Sequence, residues 1–126
     1  MAGKIVADTL DHSTAGSVDT QYVVNGSAKA WILFSMSAGT VTDDVNFSSI
    51  TDDGTGNFTL SFSSAMANAT YVTTASGSDE SSGPTTYVQD DGDTKTSSQV
   101  QVRAINRSGS TVDSVKWEGA IHGDLA

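Results

Sequence analysis

Residues 49–62 read SITDDGTGNFTLSF, and this stretch has the clearest β-hairpin pattern in the chain. Phe58, Leu60 and Phe62 alternate with polar residues, and a period of two places three apolar side chains on one face of a β-strand. The preceding Asp-Asp-Gly-Thr-Gly segment is typical of a tight turn, because Asp and Gly tolerate the backbone conformations that turns require. Apolar residues precede the turn at Val41, Val45, Phe47 and Ile50. The stretch therefore predicts a β-hairpin.

Strand patterns also occur on both sides of this hairpin. They cover Gln21–Ser27, which ends in an Asn-Gly turn signal, then Ala28–Met36, Ala69–Thr74, the short pair Tyr87-Val88, Ser98–Asn106 and Ser110–Ile121. Arg107-Ser108-Gly109 is predicted to join the last two strands as a second hairpin. About seven or eight strands in total predict an all-β fold, an antiparallel β-sandwich or jelly roll.

The composition agrees with a small β-rich domain. Only 37% of the 126 residues are apolar, and 13 Asp accompany 2 Glu, so turn formers are plentiful where exposed helix formers are scarce. The length fits a single domain. We expect an N-terminal arm over residues 1–20 and a β-sandwich over residues 21–126. The arm has too few apolar residues to build a packed element, so it is either disordered or ordered by lying across a neighbouring subunit.

The charge excludes several classes of partner. A formal net charge of -9 with six dispersed Lys and Arg residues argues against nucleic-acid binding and against attraction to an anionic membrane. With no Cys, disulfide bonds and thiolate metal sites are impossible. No long apolar run follows Met1, from which we expect neither a signal peptide nor a transmembrane helix.

No group of residues predicts catalysis or a bound cofactor. The two imidazoles, His12 and His122, lie near opposite ends of the chain, so a Ser-His-Asp site would depend on its least ordered parts. Asp52-Asp53-Gly54 and Asp90-Asp91-Gly92-Asp93 offer oxygen ligands for Ca²⁺ but lack the spacing of an EF-hand. Turn formation explains both segments. We expect no catalytic residue, no cofactor and no metal.

The apolar run within Ala28–Met36 is the candidate interface, and its residues are Trp31, Ile32, Leu33 and Phe34. It lacks clean alternation, so it is either a strand buried on both faces or a strand whose second face meets another protein. The second interpretation predicts a homotrimer. Trp31 and Trp117 could instead stack on a sugar, although their apolar neighbours favour core positions for both.

Residues 49–71, SITDDGTGNFTLSFSSAMANATY, and residues 25–31, NGSAKAW, resemble a module of structural proteins of tailed bacteriophages, including tail fibres and other appendages. The resemblance spans about residues 21–72. Members of that group usually carry Pro where this chain has Ala67, and a polar, Gly-rich stretch where it has residues 35–38. No catalytic residues belong to the module, so the resemblance implies a structural role.

These observations together predict a virion protein, assembled in the host cytoplasm, that decorates or cements a phage capsid. Its arm and β-domain would bind the major capsid protein or other neighbouring virion proteins. A short tail or head fibre or spike component that contacts the host surface is the alternative within the same class. A carbohydrate-binding module is the alternative from a different class, and a scaffold domain without a viral role is the remaining one.

Overall fold

A computed structural model describes residues 6–78, 87–90 and 95–126 of the chain. This part of the chain contains ten strands and one helix: β1 (Thr9–His12), β2 (Gly16–Asp19), α1 (Thr20–Gly26), β3 (Ala30–Ser35), β4 (Thr40–Val45), β5 (Phe47–Gly54), β6 (Asn57–Phe62), β7 (Val72–Ser78), β8 (Tyr87–Asp90), β9 (Gln99–Ile105) and β10 (Lys116–His122). The predicted all-β class is confirmed.

Eight of the strands form two antiparallel four-stranded sheets. The front sheet has the order β4-β3-β10-β7, and the back sheet has the order β5-β6-β9-β8. Both sheets contribute side chains to one shared core, so the molecule is a β-sandwich. The remaining two strands, β1 and β2, pair as a separate hairpin near the N-terminus.

The hairpin predicted from residues 49–62 is present as β5 and β6. Ile50 pairs with Leu60, and Phe47 pairs with Phe62. Phe58, Leu60 and Phe62 are all buried, as their alternation predicts. Burying a side chain of this size stabilises the fold by about 1.5–3 kcal/mol. Val100, Val102 and Ala104 of the adjacent strand β9 are buried on the same side.

Asn46 alone connects the front sheet to the back sheet between β4 and β5. Its φ of 66° lies in the left-handed region, which Asn adopts more readily than most residues. The Asn46 side chain donates to the Ser64 carbonyl at 3.1 Å and accepts from the Ser64 N–H at 2.7 Å. These two bonds fix the corner at which the chain changes sheets.

The strand predicted at Gln21–Ser27 is wrong, because this segment forms helix α1. Tyr22, Val23 and Val24 favour strands, but a helix satisfies backbone groups within the segment itself. Two contacts hold its end: the ring nitrogen Nδ1 of His122 lies 3.1 Å from the Gly26 carbonyl, and the Lys29 ammonium group contacts the Val24 carbonyl. The Asn-Gly pair therefore ends a helix rather than forming a hairpin turn.

The second predicted hairpin, across Arg107-Ser108-Gly109, is present but shorter than predicted: Ile105 and Thr111 pair as an antiparallel bridge, and the strand after the turn does not continue into β10. A turn does form there, with the Asn106 N–H bonded to the Ser110 carbonyl at 2.9 Å. However, β9 belongs to the back sheet and β10 to the front sheet. After this short hairpin the chain crosses to the front sheet, where the buried Ser114 donates its hydroxyl to the Ser78 carbonyl of β7.

The described part of the predicted arm, residues 6–20, contains the β1–β2 hairpin, and no side chain of residues 6–11 and 13–20 is buried. Thr20 closes it, donating its N–H to the Asp8 carbonyl at 2.8 Å and its hydroxyl to the Ala7 carbonyl at 2.7 Å. Helix α1, which follows directly, contains no buried residue either. We call residues 6–26 the N-terminal extension.

Candidate functional site

The predicted interface residues on β3 divide between two environments. Ile32 and Phe34 face the core and are buried, so they cannot contact a partner of the folded protein. Trp31 and Leu33 face outward, and 37% of Trp31 is exposed. The candidate interface is thus narrowed to the two outward residues. The prediction that both tryptophans are core residues holds for Trp117, which is 1% exposed, and is wrong for Trp31.

The register of the front sheet places Trp31 at the middle of its outer surface. One row across the sheet joins Val45, Trp31, Ala120 and Thr74. The next row joins Asp43, Leu33, Glu118 and Ser76. Paired residues project from the same side of a sheet, so these eight side chains form one continuous outer surface.

A shallow depression of about 490 Å³ lies on this surface, and we call it the Trp31 depression. It extends between Trp31 on β3 and the residues Thr74 and Ser76 on β7. Ala120 lies between Trp31 and Thr74 in the register, and its small side chain leaves the space open. Glu118 lies beside Ala120 along the same face.

Glu118 provides the ionised group at the edge of the depression. The Lys116 ammonium nitrogen lies 2.9 Å from its Oε2 atom, and the Ser76 hydroxyl donates to its Oε1 atom at 2.9 Å. The hydrogen bonds from Lys116 and then Ser76 lower the pKa of Glu118 below its ordinary value, and the positive charge of Lys116 adds to this effect. At neutral pH the group is therefore a carboxylate that accepts hydrogen bonds.

The outer surface of the back sheet has a different character. Arg103 donates to the side chain of Asn57 at 2.9 Å, and Thr59 and Gln101 both donate to the Asp53 carboxylate, at 2.6 and 3.2 Å. These polar side chains satisfy one another. The back sheet therefore presents a hydrogen-bonded polar surface, whereas the front sheet presents an exposed indole.

The possible Ca²⁺ ligands at Asp52 and Asp53 have other partners. Asp52 accepts the N–H of Gly54 at 2.8 Å, which is the turn role predicted for it. Asp53 accepts hydrogen bonds from Thr59 and Gln101 on the outer surface of the back sheet. Among the described residues, no group of three or more His, Asp or Glu side chains could hold a metal ion. Residues 91–93 of the second acidic segment lie outside the described residues.

The N-terminal extension is a second exposed apolar surface. Its large apolar side chains are all exposed, with Tyr22 at 65%, and they are Val6, Leu10, Val18, Tyr22, Val23 and Val24. Helix α1 has seven residues and no side-chain hydrogen bond at its N-cap. A helix this short is marginal in water and depends on packing for its stability. The extension thus exposes the side chains that would pack against a partner.

The remaining predicted positions are the two histidines. His122 lies on the outer side of β10 in register with Val72, and its ring contacts the Gly26 carbonyl at 3.1 Å. His12 lies in β1, in the N-terminal hairpin. The backbone therefore places one histidine in the extension and the other on the sandwich.

The residues around Trp31 are ones that sequence reasoning missed. Four of them are far from Trp31 along the chain and lie near it only because β3, β10 and β7 are neighbours in the front sheet. They are Thr74, Ser76, Glu118 and Ala120. Their one local signal is that residues 117–121 alternate between the core and the outer surface. Within the sequence, nothing connects that alternation to Trp31.

Comparison of the chain with protein-family models, with curated proteins and with solved structures finds no match. The resemblance to phage structural modules therefore stays a prediction. In the part of the chain that the structure describes, no helix is long and apolar enough to cross a membrane.

Proposed function

We propose that the chain is a bacteriophage virion structural protein that decorates the capsid, and that its N-terminal extension attaches it to neighbouring shell subunits. The exposed apolar side chains of the extension are the observation that carries this proposal. Apolar surface of this kind is typical of a segment that packs against another protein. The resemblance to phage structural modules supplies the virion context.

The extension also changes the argument for a homotrimer. The apolar run on β3 cannot supply the whole interface, because Ile32 and Phe34 are core residues. Tyr22, Val23 and Val24 offer a replacement on a segment that has no buried residue of its own. We therefore propose that copies of the chain associate through the extension, with three copies as the expected state.

Co-sedimentation with capsids that lack the protein tests the proposal. Val23 and Val24 would both be replaced by Ser, and Val41→Ser on β4 serves as the matched control because it is also an exposed valine. We expect the wild type and the control to co-sediment at moderate and at high salt. The double variant should bind at least about tenfold more weakly, a loss of about 1.4 kcal/mol.

Circular dichroism would verify that the variants remain folded. In solution, the wild type should have a mass near three times 13.0 kDa by light scattering. Failure of the wild type to co-sediment, or unchanged binding of the double variant, would contradict the proposal. Copy number in purified particles separates the alternatives: many copies indicate a shell protein, and a few copies indicate the fibre or spike component.

A further inference from the structure

We propose that the Trp31 depression is a carbohydrate-binding site that takes a neutral saccharide. In this site a hexose ring packs on the Trp31 indole while its hydroxyl groups bond to Glu118, Ser76 and Thr74. The site lies on the sandwich, apart from the exposed side chains of the extension. The inference therefore does not depend on capsid attachment.

The backbone at Trp31 is held in place by the neighbouring strands. It belongs to β3, which is hydrogen-bonded to β4 on one side and to β10 on the other. Its neighbours in the core direction, Ile32 and Ala30, are fully packed. The backbone that carries the indole is therefore fixed before a ligand binds, which lowers the entropy cost of binding. An indole also combines an apolar face with an N–H donor, which suits a ligand that is partly apolar and partly polar.

The lining of the depression suits a small ligand of mixed polarity. The depression is open to solvent, so its volume of about 490 Å³ is space above the sheet face and not an enclosed pocket. A specific protein interface requires about 800 Å² on each partner and a larger apolar centre. The lining of the depression combines the apolar side chains of Trp31 and Leu33 with the Glu118 carboxylate and with hydroxyl groups on β7.

The polar groups select for a neutral ligand rich in hydroxyl groups. The Glu118 carboxylate has about four acceptor positions, of which Lys116 and Ser76 occupy two. The remaining acceptors can receive hydroxyl protons. Thr74 has only a long contact, 3.4 Å, with the Ala120 carbonyl, so its hydroxyl can turn to a ligand.

Charged ligands fit less well. An anion would meet the carboxylates of Glu118 and Asp43 on the same surface. A cationic ligand would gain from Trp31, but recognition of such groups uses cages of several aromatic rings. Trp31 is the one aromatic residue among those that line the depression. Lys116 also balances the charge of Glu118. The ion pair is therefore suited to hydrogen bonds with ligand hydroxyl groups rather than to binding an ion.

The test uses the purified full-length protein on a printed array of bacterial surface polysaccharides and on glucose hexasaccharides with α-1,4, β-1,4 and β-1,3 linkages. Binding is then titrated by isothermal titration calorimetry, whose signal does not depend on Trp31. Trp31→Ala should weaken binding at least about tenfold. Ala120→Leu keeps the indole but fills the depression, and it should weaken binding to a similar extent. Tyr22→Ala removes an exposed aromatic from the extension and should bind like the wild type.

Three outcomes would overturn the inference. The first is that no probe binds the wild type. The second is that binding survives in both Trp31→Ala and Ala120→Leu. In the third, Trp31→Ala abolishes capsid co-sedimentation while saccharide binding is unchanged, which would assign the surface to a protein partner. Loss of capsid binding in Tyr22→Ala with saccharide binding retained would support both proposals separately.

Discussion

Gly56, in the turn between β5 and β6, allows the sharpest stability test because a second glycine provides its control. A Cβ atom at Gly56 would lie 2.7 Å from the Val112 nitrogen and 2.8 Å from the Ala104 oxygen, both backbone atoms. Gly39 has a similar backbone conformation, with φ of 63° against 70°, but has nothing within 4 Å of its Cβ position. Comparing the two alanine variants therefore separates steric contact from backbone strain.

The structure sets the expected magnitudes. In both variants, an alanine in the left-handed conformation costs about 1–2 kcal/mol. Alanine also restricts the unfolded chain, which offsets part of this cost, so Gly39→Ala should lower the free energy of unfolding by about 1 kcal/mol. In Gly56→Ala the new methyl group must also move by about 0.7 Å to reach ordinary contact. That shift disturbs two bonds, from the Ala104 N–H to the Gly56 carbonyl and from the Gly56 N–H to Asp113. The backbone strain, the close contact and the two disturbed bonds together should lower the free energy of unfolding of Gly56→Ala by about 4 kcal/mol.

Urea denaturation, followed by circular dichroism and by the fluorescence of Trp117, measures both losses. The midpoint for Gly56→Ala should fall well below that for Gly39→Ala, while the slopes remain alike. Equal midpoints for the two variants would refute the close approach of the β5–β6 turn to Val112. Val112 lies in the segment that leads into β10, so the contact between Gly56 and Val112 also helps to position the front sheet.

Two further predictions concern the front sheet. Trp117→Phe should lower the free energy of unfolding, measured by urea denaturation, by only about 1–2 kcal/mol, because the indole N–H of Trp117 is buried without a partner and its removal offsets part of the lost packing. The fluorescence of this variant comes from the exposed Trp31 and should lie to the red of the wild-type emission. Unchanged emission would contradict the assignment of Trp117 to the core and Trp31 to the surface. Glu118→Gln should be less stable than the wild type at neutral pH by under about 1 kcal/mol. Since Lys116 lowers the pKa of Glu118 from its ordinary value, this advantage of the wild type should disappear in thermal melts as the pH falls through the lowered pKa. A constant difference at all pH values would contradict the pairing.

The β5–β6 hairpin could be predicted from sequence because its signals are local. Phe58, Leu60 and Phe62 all lie within five residues, and the turn residues stand directly before them. Alternation fixes which face is buried, and the turn fixes the pairing of neighbouring strands. Neither depends on the rest of the chain.

The orientation of Trp31 could not be predicted in the same way. In the run from Trp31 to Phe34 both faces of the strand are apolar, so periodicity does not choose between them. The choice depends on β10, which is distant in sequence. Phe34 packs against Trp117, with ring centroids 5.3 Å apart, and Gly119 leaves room for the Trp117 ring. This packing makes Phe34 and Ile32 the inward residues and leaves Trp31 outside.

Helix α1 shows a different limit of local reasoning. The intrinsic preference of Tyr22, Val23 and Val24 is for a strand, and a strand needs a partner that supplies hydrogen bonds. The described residues of the sandwich provide no such partner for this segment. A helix closes its own bonds, and the contact between His122 and Gly26 ties its end to β10. The outcome thus depends on tertiary context rather than on propensity.

The charge pattern of the extension fits a segment that must stay soluble before it finds a partner. Asp8, Asp11 and Asp19 are interspersed among its exposed apolar residues, and charges at such positions oppose edge-to-edge pairing of the β1–β2 hairpin. With a net charge of -9 on every copy, charge attraction cannot bring copies together, and the repulsion between them weakens as salt rises. In the proposed association, the free energy would then come from burying apolar side chains such as Tyr22. That is why the proposed association should persist at high salt, where an association through ion pairs would weaken.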